Sequence, residues 1–307
     1  MGHQLAPGCG VEILMAGKLI AWILGLALAA MPFISEAEAG SSVRMIDTRT
    51  GSEVCLSEMA EALGSYDAVM FGEFHDQSAL HELEVQLMSA LLAHRQLALS
   101  LEMFERDVQP QVDAYLAGSI SEKQFLSESR PWANYANAYR PLVELAKERS
   151  CRVLAANVPR YYAAQYARSG NLEGLDKAMM AEHTYAPEGA YKERFFEVMA
   201  ENVSKGGMTV PESRYQAMYQ AQCLKDDTMA ESISRYMSGH PEQLIYHVQG
   251  EFHGSGHLGA AQKLEALRPG IRLAVIAPVK RETGQSDEAL LAKFRHFGEY
   301  LVIFAAE

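Results

Sequence analysis

No tract of lysine or arginine occurs in the 307 residues, and 27 basic side chains are outnumbered by 39 acidic ones, a formal net charge of -12. A surface of that sign repels polyanions, which argues against nucleic acid or anionic membrane as the main partner. Cysteine is scarce too, four residues scattered as Cys9, Cys55, Cys151 and Cys223. None forms a C-x-x-C pair and no H-E-x-x-H run occurs, so the usual signatures of a clustered zinc site, a redox dithiol and a helix-borne zinc protease are missing. The apolar run from Leu19 to Met31 is shorter than the roughly 20 residues a membrane-spanning helix needs.

That run has the parts of a secretory signal instead. Lys18 precedes it, Pro32 follows it, and Ala37-Glu38-Ala39 offers a small-x-small cleavage site before Gly40. Residues 1–39 are predicted to be a signal peptide. The mature chain, 40–307, is then exported to the periplasm or beyond, with no membrane span left after cleavage. Met15 is an alternative start to Met1, because residues 1–14 place Gly, Pro and Cys where a charged leader is expected. Cys9 precedes the apolar run instead of ending it, so this sequence shows no lipoprotein acylation site. Cleavage leaves three cysteines, at most one disulfide and a leftover thiol, read mainly as small core residues.

What the chain does have is an apolar share of 49%, enough for one large α/β domain or two small ones, and a tetrapeptide that occurs twice. Gly72-Glu73-Phe74-His75 and Gly250-Glu251-Phe252-His253 each follow a short apolar run, at 67–71 and 244–248, of the length and composition of a buried strand. Each copy is expected just beyond a strand's carboxyl end, glycine allowing a sharp turn and Glu and His standing at the mouth. In an open parallel sheet that is where ligands bind.

Further strands are expected at 43–47, 97–101, 152–156, 271–277 and 300–304. A helix with Asp76 as N-cap carries the stripe Leu80, Leu83, Leu87, Met88, Leu91 and Leu92 between the second and third strands, a crossover unit with parallel strands. From about 159 to 240 the pattern is helical, at 161–168, 172–181, 191–203 and 211–237. The predicted architecture is α/β, a mostly parallel sheet with flanking helices and a helical insertion subdomain.

Glu73, His75, Glu102 and His253 converge in this scheme, with His81 and His257 as outer members. Imidazole and carboxylate are ligands for zinc or another first-row metal, and without a metal the same groups serve as acid, base and orienter. The Gly254-Ser255-Gly256 loop is a weaker alternative, an anion cradle before the next helix. Ten tyrosines between 135 and 236, among them Tyr215 and Tyr219 at helical spacing, and methionines such as Met179, Met199 and Met218 fit a plastic core. The less common alternative is an apolar slot for haem with a phenolate on the iron.

Several ordered blocks resemble the ChaN family of haem-binding proteins, relatives of Tiki and erythromycin-esterase-like proteins. They are Phe71 to Asp76 with His81, Leu101 to Asp107 with Gln109 and Gln111, Trp132 with Tyr139 to Leu142, Ala156 to Arg160, Ala221 to Ala230, and Gly250 through His253 with Gly259. The resemblance implies an exported homodimer in iron or haem acquisition, its haem iron bound by a tyrosine and its propionates by His and Lys, with a haem transporter or receptor as partner. Tyr139 is the first choice for that tyrosine and Tyr135 the second. His81 and His257 are the accompanying histidines, and Asn157, Arg160, Gln222 and Asp226 line the pocket. Glu84 departs from the family, where Gln is common, as do the His-rich loop after His253 and the missing lipoprotein cysteine. Tiki-like relatives use two Gly-x-x-His motifs and a glutamate as a metallopeptidase site, which gives the alternative, a metal-dependent hydrolase using Glu73, His75, Glu102 and His253.

Overall fold

The computed structural model describes residues 43–205 and 211–305, so the expected signal peptide lies outside the described residues. Seven strands form one sheet: β1 (Val43–Asp47), β2 (Ala68–Glu73), β3 (Leu97–Glu105), β4 (Val153–Asn157), β5 (Leu244–Gly250), β6 (Leu273–Arg281) and β7 (Tyr300–Ala305). Their spatial order is β1-β7-β6-β2-β5-β3-β4, parallel throughout except for β1, which pairs antiparallel with β7. β2 and β3 are parallel but not neighbours, because β5 returns from far along the chain to pair with both. The chain thus runs from β2 towards one edge, comes back through β5, and continues on the other side of β2. This puts a topological switch point at the carboxyl ends of β2 and β5.

Alternation within the strands explains the layers. In β2, Val69 and Phe71 belong to one apolar cluster and Ala68 and Met70 to another. Successive side chains point to opposite faces, so both faces of the sheet must be covered. On the first face lie α1 (Leu56–Leu63), α2 (Ser78–Leu92), α3 (Gln109–Leu116), α4 (Glu122–Ser129), α5 (Tyr135–Ala138) and α6 (Arg140–Glu148), which share that first cluster. Leu80, Leu83, Leu87, Met88 and Leu91 of α2 are buried in it, whereas Leu92 is half-buried at its margin. Between β4 and β5 come α7 (Arg160–Ser169), α8 (Ala190–Lys205) and α9 (Glu212–Gly239). With α10 (Ala260–Leu267), α9 covers the opposite face through Met229, Ile233 and Leu264. α11 (Asp287–Phe294) lies over the β6–β7 end through Leu290.

Several local expectations change. Asp76 does not cap α2, which opens after Gln77 without a side-chain cap. The helix expected at 172–181 is only a 3-10 turn, Lys177–Met179, because Gly174 takes a left-handed φ of +81° and the Asp176 side chain accepts from Ala178 N. Cys223 is buried in α9, but Cys55 is exposed and Cys151 half-buried, and all three are free thiols. Among the described residues no helix is long and apolar enough to cross a membrane.

The strands also run further than their apolar stretches. β2 includes Gly72 and Glu73, β3 reaches Glu105 and β5 reaches Gly250, since pairing such as Glu73 with Gly250 and Glu105 with Asn157 continues past the hydrophobic residues. Gly72 is therefore not a turn. It pairs with Gln249 in the sheet, and a Cβ there would lie 3.1 Å from both Glu251 Cα and Pro278 Cδ. The glycine is required by close approach of backbone, and Gly72→Ala is expected to destabilise the fold by about 1–3 kcal/mol. A urea midpoint equal to that of the wild type would contradict this packing.

Candidate functional site

The carboxyl ends of β2, β3 and β5 open onto a cavity of about 890 Å³. Its walls include Phe74, Trp132, Val198 and Phe252, and its polar lining includes Glu73, His75, Glu102, His253, Lys225 and Arg160. The two Gly-Glu-Phe-His segments do meet here, but one residue out of step: Gly72 faces Gln249 and Glu73 faces Gly250. An offset of one reverses which face a side chain takes. Glu73 is accordingly buried, whereas Glu251 turns to Arg194, 2.6 Å from its guanidinium.

Glu73 organises the first half of the site. Its Oε1 accepts from the Tyr139 hydroxyl at 2.7 Å and lies 2.6 Å from His75 Nδ1, while Oε2 is 2.9 Å from His81 Nδ1. Burial pushes this carboxyl up, but the hydrogen bonds from His75 and His81 outweigh it and hold it down at about 2. His81 has both ring nitrogens engaged, Nδ1 between Glu73 and Glu84 and Nε2 on the His75 carbonyl at 3.3 Å. Burial disfavours its charge, yet the two glutamates raise it to about 10, so it is an imidazolium at neutral pH. Glu84 behaves oppositely: complete burial, reinforced by Glu73, raises its pKa well above the carboxylate range. Its burial beside an ionised neighbour thus favours the neutral carboxyl.

The second half centres on His253, in the 3-10 turn Glu251–His253 after β5. Its Nδ1 is 2.5 Å from Asp226 Oδ1 and its Nε2 3.3 Å from Glu102 Oε1, with Gln222 Nε2 against the ring at 3.2 Å. Asp226 Oδ2 accepts from the Tyr191 hydroxyl at 2.7 Å, and Glu102 Oε2 accepts the backbone N–H of Gly250 at 2.8 Å. Burial opposes charge on His253, but Glu102 and Asp226 lift it to about 10. Burial would likewise raise Glu102, yet the charges of His253, His75 and Lys225 hold it far below the usual range. The halves touch at Gly250, where a Cβ would come within 3.0 Å of His75 Cε1.

The sequence-derived residues thus separate. Glu73, His75, Glu102, His253, Asn157, Arg160 and Gln222 all line the cavity, with Asp226 just behind His253. Asn157 donates to the Glu102 carbonyl at 3.1 Å, and Arg160 pairs with Glu105. The expected metal set Glu73, His75, Glu102 and His253 lines this one cavity, with His75 Nδ1 on Glu73 and His253 between Asp226 and Glu102. Among the described residues the group whose ligand atoms all lie within 4.8 Å of one another is Glu73, His81 and Glu84. His81 lines a neighbouring cavity of about 1030 Å³ between α2 and the α5–α6 segment. His257 lies outside both cavities, held by Glu265 at 2.8 Å and Glu299 at 3.2 Å.

Neither tyrosine reaches the cavity. Tyr139 is fully buried with its hydroxyl on Glu73, and Tyr135 packs against Phe104 and Phe125. Burial raises both phenols well above their ordinary value, which disfavours phenolate. The Gly254–Gly256 loop is spent on internal contacts, Gly256 N donating to the Phe297 carbonyl at 2.7 Å, so it forms no anion cradle. Sequence reading missed Lys225, although Gln222, Lys225 and Asp226 share one face of α9 at spacings of three and four. Tyr191, which fixes Asp226 from α8, carries no local signal.

Because the folded pKa of Glu84 lies above its unfolded value, its ionisable carboxyl lowers stability progressively as pH rises from 4.5 towards that folded value. Glu84→Gln removes this penalty. The variant is expected to gain on the wild type with rising pH, by on the order of 1 kcal/mol per pH unit within that window, measured by urea unfolding at pH 5 and pH 8. A difference independent of pH would show that Glu84 is ionised.

Three comparisons bear on this geometry. The family described as haem-binding uptake, Tiki superfamily, ChaN matches residues 59–264, more than half of the chain. Among solved structures, ChaN of Campylobacter jejuni, described for cofacial heme binding, shares the fold with a TM-score of 0.67 at 16% identity, covering 86% of this chain and 97% of that one. A type III effector, HopBA1, reaches 0.48 at 11% identity over 82% and 93%. An erythromycin esterase EreC mutant reaches 0.45 at 13% over 73% and 72%. No curated protein matches at a significant level. The chain belongs to the ChaN family of haem-binding uptake proteins in the Tiki superfamily.

Proposed function

We propose that this protein binds haem in the cavity at the carboxyl ends of β2, β3 and β5, and serves haem or iron acquisition as an exported homodimer that hands its cargo to a transporter or receptor. The observation that carries the binding step is the make-up of that cavity. At about 890 Å³ it falls within the size of small-molecule and cofactor sites, roughly 300–1,000 Å³. Phe74, Trp132, Val198 and Phe252 offer an apolar wall, and Lys225 lines it with no hydrogen-bond or ion-pair partner among the described residues. Haem brings an iron centre, an apolar macrocycle and two propionates. The residues present fit it: the aromatic wall would hold the macrocycle, and Lys225 would meet a propionate. Export rests on Lys18, the apolar run and Ala37-Glu38-Ala39 alone.

A second reading, hydrolysis, draws on His253 held between Asp226 and Glu102. With its pKa near 10, this imidazole is a proton donor and not a base at neutral pH, and each acid–base role would have to be built on that. The same pairing argues against a metal on His253, since its ring nitrogens are occupied.

Hemin titrated into the purified chain should give a Soret change that saturates at stoichiometric haem. Lys225→Glu, which turns an unpaired cation into an anion facing the propionate, should weaken binding by about tenfold or more, whereas His257→Gln should leave it unchanged. A wild-type spectrum identical to that of free hemin would end the haem reading.

A further inference from the structure

We propose that Glu73, His81 and Glu84 bind one divalent first-row metal ion in a buried site of their own, independent of haem. Glu73 ends β2, and His81 and Glu84 stand three apart on one face of α2, so the passage from strand to helix brings the three together. Their ligand atoms all lie within 4.8 Å of one another, with His81 Nδ1 2.9 Å from Glu73 Oε2 and 3.3 Å from Glu84 Oε2. Donors bonded at about 2.0–2.2 Å to a single ion stand roughly 2.9–3.5 Å apart, so both separations already match a coordination shell. Two carboxylates and one imidazole are a donor set suited to zinc, manganese or iron(II).

Burial is what demands a cation here. Glu73 is 1% and Glu84 0% exposed, and Oε1 of Glu84 has no hydrogen-bond donor among the described residues. Glu84 lies against Glu73 instead, and two carboxyl groups at that depth need a positive charge between them, a proton or a metal ion. The surroundings favour the ion. His81 Nε2 is 3.3 Å from the His75 carbonyl, which leaves Nδ1, facing both carboxylates, as the coordinating nitrogen. Glu73 Oε1 accepts from the Tyr139 hydroxyl at 2.7 Å and lies 2.6 Å from His75 Nδ1, which leaves Oε2 for the ion. Ligating imidazoles and carboxylates are held by such outer hydrogen bonds, usually with the second imidazole nitrogen on a carbonyl or carboxylate. His81 also lines the cavity of about 1030 Å³ beside α2, which gives the ion a way in. Binding exchanges the Nδ1 proton of His81 and the carboxyl proton of Glu84 for one ion of charge +2, so the buried charge is unchanged.

The test uses the full chain, stripped with EDTA and titrated with Zn2+ by calorimetry. The wild type should take up one ion per chain, and His81→Gln and Glu84→Gln should each weaken that binding by at least about tenfold, the least that loss of even a supporting group costs. Cobalt(II) loaded in place of zinc should show a visible absorption band that both variants remove or shift. His257→Gln, which alters a histidine and carboxylate group elsewhere on the fold, should leave affinity and band unchanged. Circular dichroism checks folding, and should His81→Gln unfold, Glu84→Gln carries the comparison because its amide keeps the shape of the carboxyl. Zinc bound equally well by both variants would overturn the site, and a wild type that takes up no stoichiometric zinc would show that protons alone fill it. Hemin added to the zinc-free chain tests the haem reading on its own. A Soret response without zinc binding ends this proposal and leaves that reading standing, and zinc binding without a Soret response does the reverse.

Discussion

The buried carboxylate of Glu73 is the interaction on which the site depends. A lone charge at that depth would neutralise itself by taking a proton, but Tyr139, His75 and His81 converge on its two oxygens from α2, α5–α6 and the loop after β2. Each donor is thereby fixed in turn. His75 is held with one face of its ring open, Tyr139 is drawn into the core, and His81 is charged and bridges to Glu84. The one negative charge at the end of β2 thus ties the helices of the first face to the rim of the cavity.

The opposite rim repeats the logic with other parts. Asp226 from α9 and Glu102 from β3 hold His253 as an imidazolium, and Tyr191 from α8 holds Asp226. Two histidines of similar sequence context therefore present different chemistry to one space. His253 is a buried cation whose role is to set the field and tie α9 to the sheet, whereas His75 keeps a nitrogen towards the cavity. The difference stems from the one-residue offset between β2 and β5, which spends the first glutamate inward on histidines and the second outward on Arg194.

Charge is paired at every depth around this space. Glu73 and Glu102 line the cavity and are met by His75, His81 and His253, with Asp226 behind His253 and Lys225 at the wall. A residual cation beside aromatic walls suits an amphipathic anion better than a bare metal ion, which accords with membership in a haem-binding family.

Much of this was legible in the chain itself. The apolar runs at 67–71, 97–101 and 244–248 mark central strands because residues buried on both faces leave no alternation to obscure them, and Glu73, His75, Glu102 and His253 follow from their position at the ends of those runs. The sequence by itself determined an α/β sheet with histidine and carboxylate at its carboxyl edge, since local apolar pattern and chain order carry that information. Only the tertiary structure decided that β5 lies between β2 and β3, that Gly72 and Gly250 serve close approach and not turns, and that Tyr139 supports Glu73 from the core. Those outcomes depend on register and on which buried charge finds which donor, quantities set by contacts between residues more than sixty positions apart.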